Sequence, residues 1–345
     1  MTEPDFVLEM VDVSRHFPIR SPILRRPVGQ VTAVDGVSIQ VRRSETVALV
    51  GESGSGKSTL GRMALRLLPV SGGRVLLNGS DISGLSKRDL REARRNGQMV
   101  FQDPYSSLDP HATIRNSLAE PLDVHSDLSS RETNSRIAEL LDMVHMSRTY
   151  VDRYPHEFSG GQLQRVALAR ALALGPSLIV ADEPLSSLDV STQAQMLRLL
   201  RELQTEIGIA YLFVSHDLSV VNTISDRIAV MYLGRIVESG TPEDVINNPR
   251  HPYTQALVSA VPRSPFDSES ARTRIILRGD PPSPTSIPSG CRFHTRCPAA
   301  MDICSRVDPP ASSPAHGVTV HCHLYPPEPI SGGLPTTGVA SGTDA

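Results

Sequence analysis

Short apolar runs that stop abruptly at a glycine or a polar residue recur along this chain. Residues 46–50 end at Gly51, residues 98–101 at Gln102, residues 177–181 at Asp182 and residues 211–215 at His216. Brief runs rich in Val, Ile and Leu read as strands buried on both faces. Between them lie stretches with helical spacing: 57–68, 85–97, 113–150 with a break at 125–130, and 191–207. Another helix is capped by Ser159 and presents Leu163, Val166, Leu168, Ala169 and Leu172 on its apolar face. Alternating strands and helices predict an α/β fold with a mostly parallel sheet covered on both faces. Residues 7–17 and 31–41 alternate as half-exposed strands do. Residues 19–30, with Pro22, Pro27 and Gly29, read as a loop insertion. Residues 227–238 predict an antiparallel pair turning at Gly234.

The first of these strand ends opens Gly51-Glu52-Ser53-Gly54-Ser55-Gly56-Lys57-Ser58-Thr59. This matches G-x-x-x-x-G-K-[ST] at every fixed position and sits between a strand and a helix, the context that confirms a phosphate-binding loop. There the backbone N–H groups turn inward and the helix N-terminus adds partial positive charge. Lys57 would reach the β- and γ-phosphates of a nucleotide, and the Ser58 hydroxyl would sit on Mg²⁺. A flexible Gly/Ser surface loop is the alternative, which the full pattern and its flanks disfavour.

In parallel α/β sheets ligands bind beyond the carboxyl ends of the strands. Gly51, Gln102, Asp182 and His216 are therefore expected to converge on one nucleotide. Asp182 reads as the carboxylate on the Mg²⁺ side, since Mg²⁺ takes few protein ligands and keeps its waters. Glu183 is placed to polarise the attacking water. Gln102 suits orienting water or touching Mg²⁺, and His216 suits a bond to the γ-phosphate. Phe17 reads either as a stacking surface for adenine or as ordinary core.

With 345 residues the chain accommodates about two domains, and its net charge of −3 holds no basic excess that would point to nucleic acid. The run Lys87, Arg88, Arg91, Arg94 and Arg95 reads as a solvated helix face. No apolar stretch approaches the ~18 residues of a membrane span, and the first residues lack the pattern of a signal peptide. The expectation is a cytoplasmic protein that reaches a membrane by docking on other subunits.

Taken together, the motif set resembles the nucleotide-binding subunit of ATP-binding-cassette transporters, over about residues 7–245. Phe158-Ser159-Gly160-Gly161-Gln162 resembles the family's signature motif, with Phe where Leu is usual, and Ser187-Leu188-Asp189 matches its dimer-contact loop. Ser159, Gly160 and Gly161 open a helix, a second phosphate-binding surface in one chain. The resemblance implies that this surface and Gln162 serve ATP held on a homologous partner ATPase, in a head-to-tail pair. It also implies a helical subdomain at about 103–172 within a nucleotide-binding domain spanning 1–250.

Asn248-Pro249-Arg250-His251-Pro252-Tyr253-Thr254 and Arg278-Gly279-Asp280-Pro281-Pro282 resemble hallmarks of the oligopeptide and dipeptide importer ATPases. The insertion at 19–30 is more similar to their second, F-type, subunit. That resemblance implies two membrane permeases and an extracytoplasmic solute-binding protein as partners, with nickel or another small solute as an alternative cargo. It places the protein on the cytoplasmic face of the membrane. A soluble mechanical ATPase is a rival reading, against which stand a single signature motif and no long heptads. An iron–sulfur redox protein is another, against which stands an intact ATP site.

Residues 251–325 would form a small C-terminal domain, and the Pro-, Gly- and Ser-rich residues 326–345 a disordered tail. All four cysteines lie in the former, Cys291, Cys297, Cys304 and Cys322, spaced C-x₅-C-x₆-C-x₁₇-C. Four clustered thiols suit tetrahedral zinc or a four-iron, four-sulfur cluster. Unconnected free thiols are the alternative. The subfamily resemblance implies the cluster, with zinc second, as a staple for a segment that lacks a core of its own.

Overall fold

A computed structural model describes residues 5–21, 26–261, 274–277 and 279–327. Of the expected tail, residues 328–345 lie outside the described residues, as do residue 278 and residues 262–273.

The chain opens with two long antiparallel strands, β1 (Phe6–Arg20) and β2 (Pro27–Arg42), paired from Phe6 opposite Arg42 to Arg20 opposite Pro27. Within the expected loop at 19–30, residues 19–20 and 27–30 are paired strand instead, while residues 22–25 lie outside the described residues. Among the described residues, β2 alone pairs with β1 beyond Ser14, and such an edge ribbon tolerates proline because one row of its N–H groups needs no partner. Next come β3 (Thr46–Val50) and α1 (Lys57–Ala64). β4 (Gly72–Leu77) and β5 (Ser80–Asp81) complete a four-stranded antiparallel sheet, in the order β2-β1-β4-β5.

Helix α1 ends at Ala64 instead of running to Leu68, because Arg66 adopts φ 49°. The Arg94 guanidinium, just beyond α2 (Lys87–Ala93), donates to the carbonyls of Leu65 and Arg66 and closes that helix end. Arg94 thus leaves the solvated face that its basic run predicts.

β6 (Gly97–Val100) is followed by a helical layer of α3 (Pro104–Ser107), α4 (Ile114–His125), α5 (Ser130–Met143) and α6 (Gly160–Leu172). Then come β7 (Leu178–Asp182), α7 (Val190–Ile207), β8 (Ala210–Val214), α8 (Leu218–Ile224), β9 (Arg227–Tyr232) and β10 (Arg235–Gly240). The last elements are α9 (Pro252–Ser259), β11 (Ala311–Ser312) and β12 (Thr319–His321). The larger sheet runs β11-β12-β10-β9-β3-β8-β7-β6. Its five strands from β9 to β6 are parallel, and β10 turns back on β9 through Leu233-Gly234 as expected.

Every residue of β3, β7 and β8 is buried, because a core lies on each face of the sheet. One combines α1 with the antiparallel sheet; the other combines α4 to α8 with Tyr253 and Phe293. The C-terminal region is joined to this body. β12 pairs with β10, Glu238 opposite Val320. Asp35 accepts from both Arg235 and Arg292, and these charges hold its carboxyl below the usual range despite burial. Phe293 packs against Tyr232 and Tyr253, with ring centroids 5.2 and 5.4 Å apart.

The fully buried Glu238 carboxylate accepts the N–H groups of Arg250 and His251 at 2.8 and 2.9 Å. His251 caps α9 by accepting the Tyr253 N–H at Nδ1, 3.1 Å. Burial, with a smaller contribution from His321, pushes its pKa down to about 3. Unfolded, a histidine takes its proton near ~6.5, so this group stabilises the fold above that pH and its contribution is lost as pH falls toward 3. Stability should drop by about 1 kcal/mol between pH 7 and pH 5.5 from this group. Denaturant midpoints at the two pH values should show the drop, and His251→Asn, which keeps a capping acceptor, should flatten it. An undiminished slope in that variant would contradict the assignment.

Candidate active site

The loop after β3 is wedged between two strands. Gly51 has φ 153° and Gly56 φ 105°. A Cβ at Gly51 would run into the carbonyl of Met231 on β9, and one at Gly56 into that of Ala33 on β2. Only glycine lets the loop lie this close to both. The Gly234 N–H donates to the Ser55 carbonyl at 2.8 Å, and the buried Ser55 hydroxyl has no partner among the described residues. Ser53 and Gly54 are exposed, and Thr59 is half-buried on α1. Lys57, 5% exposed, donates from Nζ to the carbonyls of Gly51 and Glu52 at 2.8 and 2.9 Å. Burial lowers its pKa, and the charges of Glu183, Asp182 and Glu52 resist that shift.

Three further strand ends meet this loop. The Ser58 hydroxyl donates to Asp182 Oδ1 at 2.7 Å. Asp182 is the last residue of β7 and is buried. Glu183 follows it in a left-handed conformation, φ 49°, with its N–H bound to the Val214 carbonyl at the end of β8, 3.0 Å. That conformation is unfavourable for a side chain other than glycine or asparagine, and strain of this kind concentrates at functional sites. The Glu183 carboxylate accepts from Gln102 Nε2 at 3.2 Å and lies 3.3 Å from His216 Nδ1. The structure thus brings together Lys57, Ser58, Gln102, Asp182, Glu183 and His216. Gln102 reaches Glu183, however, and not the Ser58–Asp182 pair.

Phe17 is half-exposed and not core; the Arg15 guanidinium covers it, 4.5 Å from the ring centroid. It lies opposite Val31, two residues from the Ala33 carbonyl that abuts Gly56, so this end of the ribbon borders the loop.

The signature residues occupy a different surface. Ser159 caps α6 by accepting the Gln162 N–H, and Gln162 Oε1 accepts the Ser159 N–H at 3.0 Å. Gly160 lies against Leu188, and a Cβ on Gly161 would strike Thr192. Asp189 caps α7, accepting from Thr192 N and Oγ1 at 3.0 and 2.7 Å. Hydrogen bonds from Ser191 and Thr192 hold its carboxyl far below the usual range. Ser187, Leu188 and Asp189 therefore lie beside the tip of α6.

The four cysteines gather from distant positions. Cys304 and Cys322 are buried, Cys291 and Cys297 half-buried, and none forms a disulfide. The Cys291 N–H donates to the Cys304 carbonyl at 2.8 Å. Burial pushes the Cys291 thiol up to about 11, with further contributions from the other three thiols. The N–H groups of Phe293, Ala299 and Leu324 point at the sulfurs of Cys291, Cys297 and Cys322. Among the described residues, no three His, Cys, Asp or Glu side chains lie close enough to hold a single metal ion.

Three residues to which the sequence assigns no part in the site meet at the loop: Glu52 within it, and Tyr253 and Arg296 from the C-terminal region. The Glu52 N–H donates to the Tyr253 hydroxyl at 2.7 Å, and Arg296 donates to its carboxylate at 2.9 and 3.2 Å. Tyr253 stands in the distinctive His251-Pro252-Tyr253 run; nothing local to Arg296 signals its role.

Two family models match the chain: ABC transporter over residues 34–186, and the C-terminal region of oligopeptide/dipeptide transporters over residues 237–304. The oligopeptide transport ATP-binding protein AppF of Bacillus subtilis (strain 168) is 51% identical, over 92% of this chain and 97% of that protein. A probable peptide ABC transporter ATP-binding protein of Sinorhizobium fredii (strain NBRC 101917 / NGR234) is 49% identical, over 94% and 91%. Among solved structures, a dimeric ATP-binding cassette in a post-hydrolysis state with ADP and Pi superposes with TM-score 0.61 at 28% identity, covering 68% of this chain and 98% of that one. The chain belongs to the ABC transporter family, as an ATPase subunit of the oligopeptide/dipeptide importer group.

Proposed function

We propose that this chain hydrolyses ATP to ADP and phosphate to drive peptide import through partner permeases. The observation that carries this reading is the meeting of the Ser58–Asp182 pair with Glu183, Gln102 and His216 beside a glycine loop holding Lys57. Lys57 leaves its two carbonyls to engage the β- and γ-phosphates. The Ser58 hydroxyl and Asp182 carboxylate are donors of the hard-oxygen kind that Mg²⁺ takes, and Gln102 can swing toward them. Bound there, the ion would neutralise charge on the phosphates. Glu183 takes a proton from the attacking water as the new P–O bond forms and the bond to the β-phosphate oxygen breaks. His216 donates toward the γ-phosphate, and Phe17 offers a face to adenine.

The Ser159 hydroxyl and the N–H groups of Gly160 and Gly161 face outward at a helix N-terminus, which suits the triphosphate of a second, homologous ATPase subunit. Ser187, Leu188 and Asp189 lie beside that tip and would meet the same partner. For the permeases, a groove of about 220 Å³ lies between the sheet and the helical layer, lined by Leu67, Met99, Phe101 and Pro121. Leu67 and Phe101 are 40% and 38% exposed there, and Gln102 adjoins it, so docking and catalysis share one strand end. None of the described helices is long and apolar enough to cross a membrane. The permeases would hold the chain at the cytoplasmic face of the membrane. A solute-binding protein would deliver peptide, with nickel or another small solute as the second cargo. The similarity to AppF favours the F-type position.

For the cysteine segment the resemblance to the importer subfamily favours a four-iron, four-sulfur cluster, with zinc second. Its donors are all thiols, and three receive backbone N–H groups that stabilise thiolate. Such a cluster would cross-link the segment around Cys291, Cys297, Cys304 and Cys322. One experiment addresses the whole reading: isolate the complex anaerobically, reconstitute it in vesicles, and assay ATP-dependent peptide uptake with iron and sulfide content. Peptide-stimulated hydrolysis with about four irons per chain is expected. A complex without permeases, or hydrolysis indifferent to peptide and to vesicles, would contradict the importer reading. Zinc without sulfide would contradict the cluster alone.

A further inference from the structure

The phosphate loop carries one acidic residue, Glu52, and each of its polar groups is engaged. Its N–H donates to the Tyr253 hydroxyl, its carbonyl accepts from Lys57 Nζ, and its carboxylate takes a two-pronged bond from Arg296. Tyr253 and Arg296 lie 201 and 244 residues away along the chain. The Arg296 side chain is 8% exposed and that of Glu52 28%. Both C-terminal partners are themselves seated firmly. Glu238 and His251 fix the turn that presents Tyr253, and Phe293 packs on Tyr253 three residues before Arg296.

A bare carboxylate in a loop that receives a triphosphate repels it, and weak solvent screening in a half-buried site makes that repulsion count. The planar guanidinium cancels the charge and fixes its position at once. One of the two carbonyls on which Lys57 rests belongs to the same residue, so a displaced Glu52 also disturbs the seat of Lys57.

We propose that Arg296 and Tyr253 are positioning residues of the ATP site: the C-terminal region clamps Glu52, neutralises it, and so sets the affinity of the phosphate loop for nucleotide. This rests on reading the loop as an ATP site. Arg296 directly precedes Cys297, so a rearrangement of the thiol segment reaches the loop through this guanidinium.

The test is displacement of a fluorescent nucleotide by MgATP on the full chain, well below its thermal midpoint. It compares the unmodified chain with Arg296→Ala, Arg296→Ala/Glu52→Gln and Tyr253→Phe. Arg296→Ala should weaken MgATP binding about tenfold, with a smaller deficit in ~0.5 M salt. Adding Glu52→Gln should restore affinity to within about threefold, and Tyr253→Phe should cost about threefold. A purely structural role for Arg296 would lower the thermal midpoint of the nucleotide-free chain and leave the Kd of the folded chain unchanged. That result, or a loss that Glu52→Gln fails to relieve, overturns the proposal. Failure of the unmodified chain to bind MgATP overturns the ATP reading and this proposal with it.

Discussion

Glu183→Gln is expected to bind MgATP as the unmodified subunit does and to hydrolyse it about 10³-fold more slowly. Glutamine preserves the size of the side chain and an oxygen to accept from Gln102, now 3.2 Å from the carboxylate. It cannot take a proton from water. The backbone at this position, φ 49°, is anchored through its N–H to the Val214 carbonyl, so the substitution leaves the strand end in place. In the proposed mechanism binding rests on Lys57, Ser58 and the loop, whose hydrogen bonds do not involve the Glu183 side chain. Single-turnover hydrolysis beside equilibrium binding separates the two effects. Near-normal turnover would remove Glu183 from the proton-accepting role.

Lys57→Ala is expected to fail one step earlier, weakening MgATP binding by about 10²-fold. The ammonium is nearly buried and rests on two carbonyls of its own loop, so it is held ready and needs little ordering when phosphate arrives. The acidic groups around it, Glu183, Asp182 and Glu52, would be left unopposed in the variant and would repel the triphosphate. Direct binding measurements decide the matter. Retention of affinity with loss of turnover alone would assign Lys57 to chemistry and not to binding.

Much of the site's geometry could be read from local pattern because strand-end residues carry their placement with them. An apolar run of four fixes where Asp182 emerges, and a parallel sheet puts that point at the same edge as Gly51 and His216. The cap of Ser159 was equally legible, since Ser followed by Gln at the third position is a capping box. What escaped was set by partners remote in sequence. Arg94 looked like one basic residue among five, yet it closes a helix whose terminal carbonyl lies 29 residues earlier, at Leu65. The pairing of β12 with β10 joins residues about 80 apart, with strands too short to announce themselves. The Glu52–Arg296 pair left no trace because a variable position of a loop motif and a lone arginine each look ordinary until the chain folds back. Pro27 reads as a turn signal yet opens β2, since proline signals turns without excluding edge strands; Pro22 lies outside the described residues.

The central claim is that this chain grips one nucleotide with its glycine loop and lends the tip of α6 to the nucleotide of a neighbour. A structure of the assembled complex carrying Glu183→Gln, loaded with MgATP, tests it most directly. The Ser159 hydroxyl and the N–H groups of Gly160 and Gly161 should lie about 3 Å from the γ-phosphate held on the facing ATPase subunit. An ATP-loaded complex in which that helix tip contacts only α7 and solvent would contradict the account.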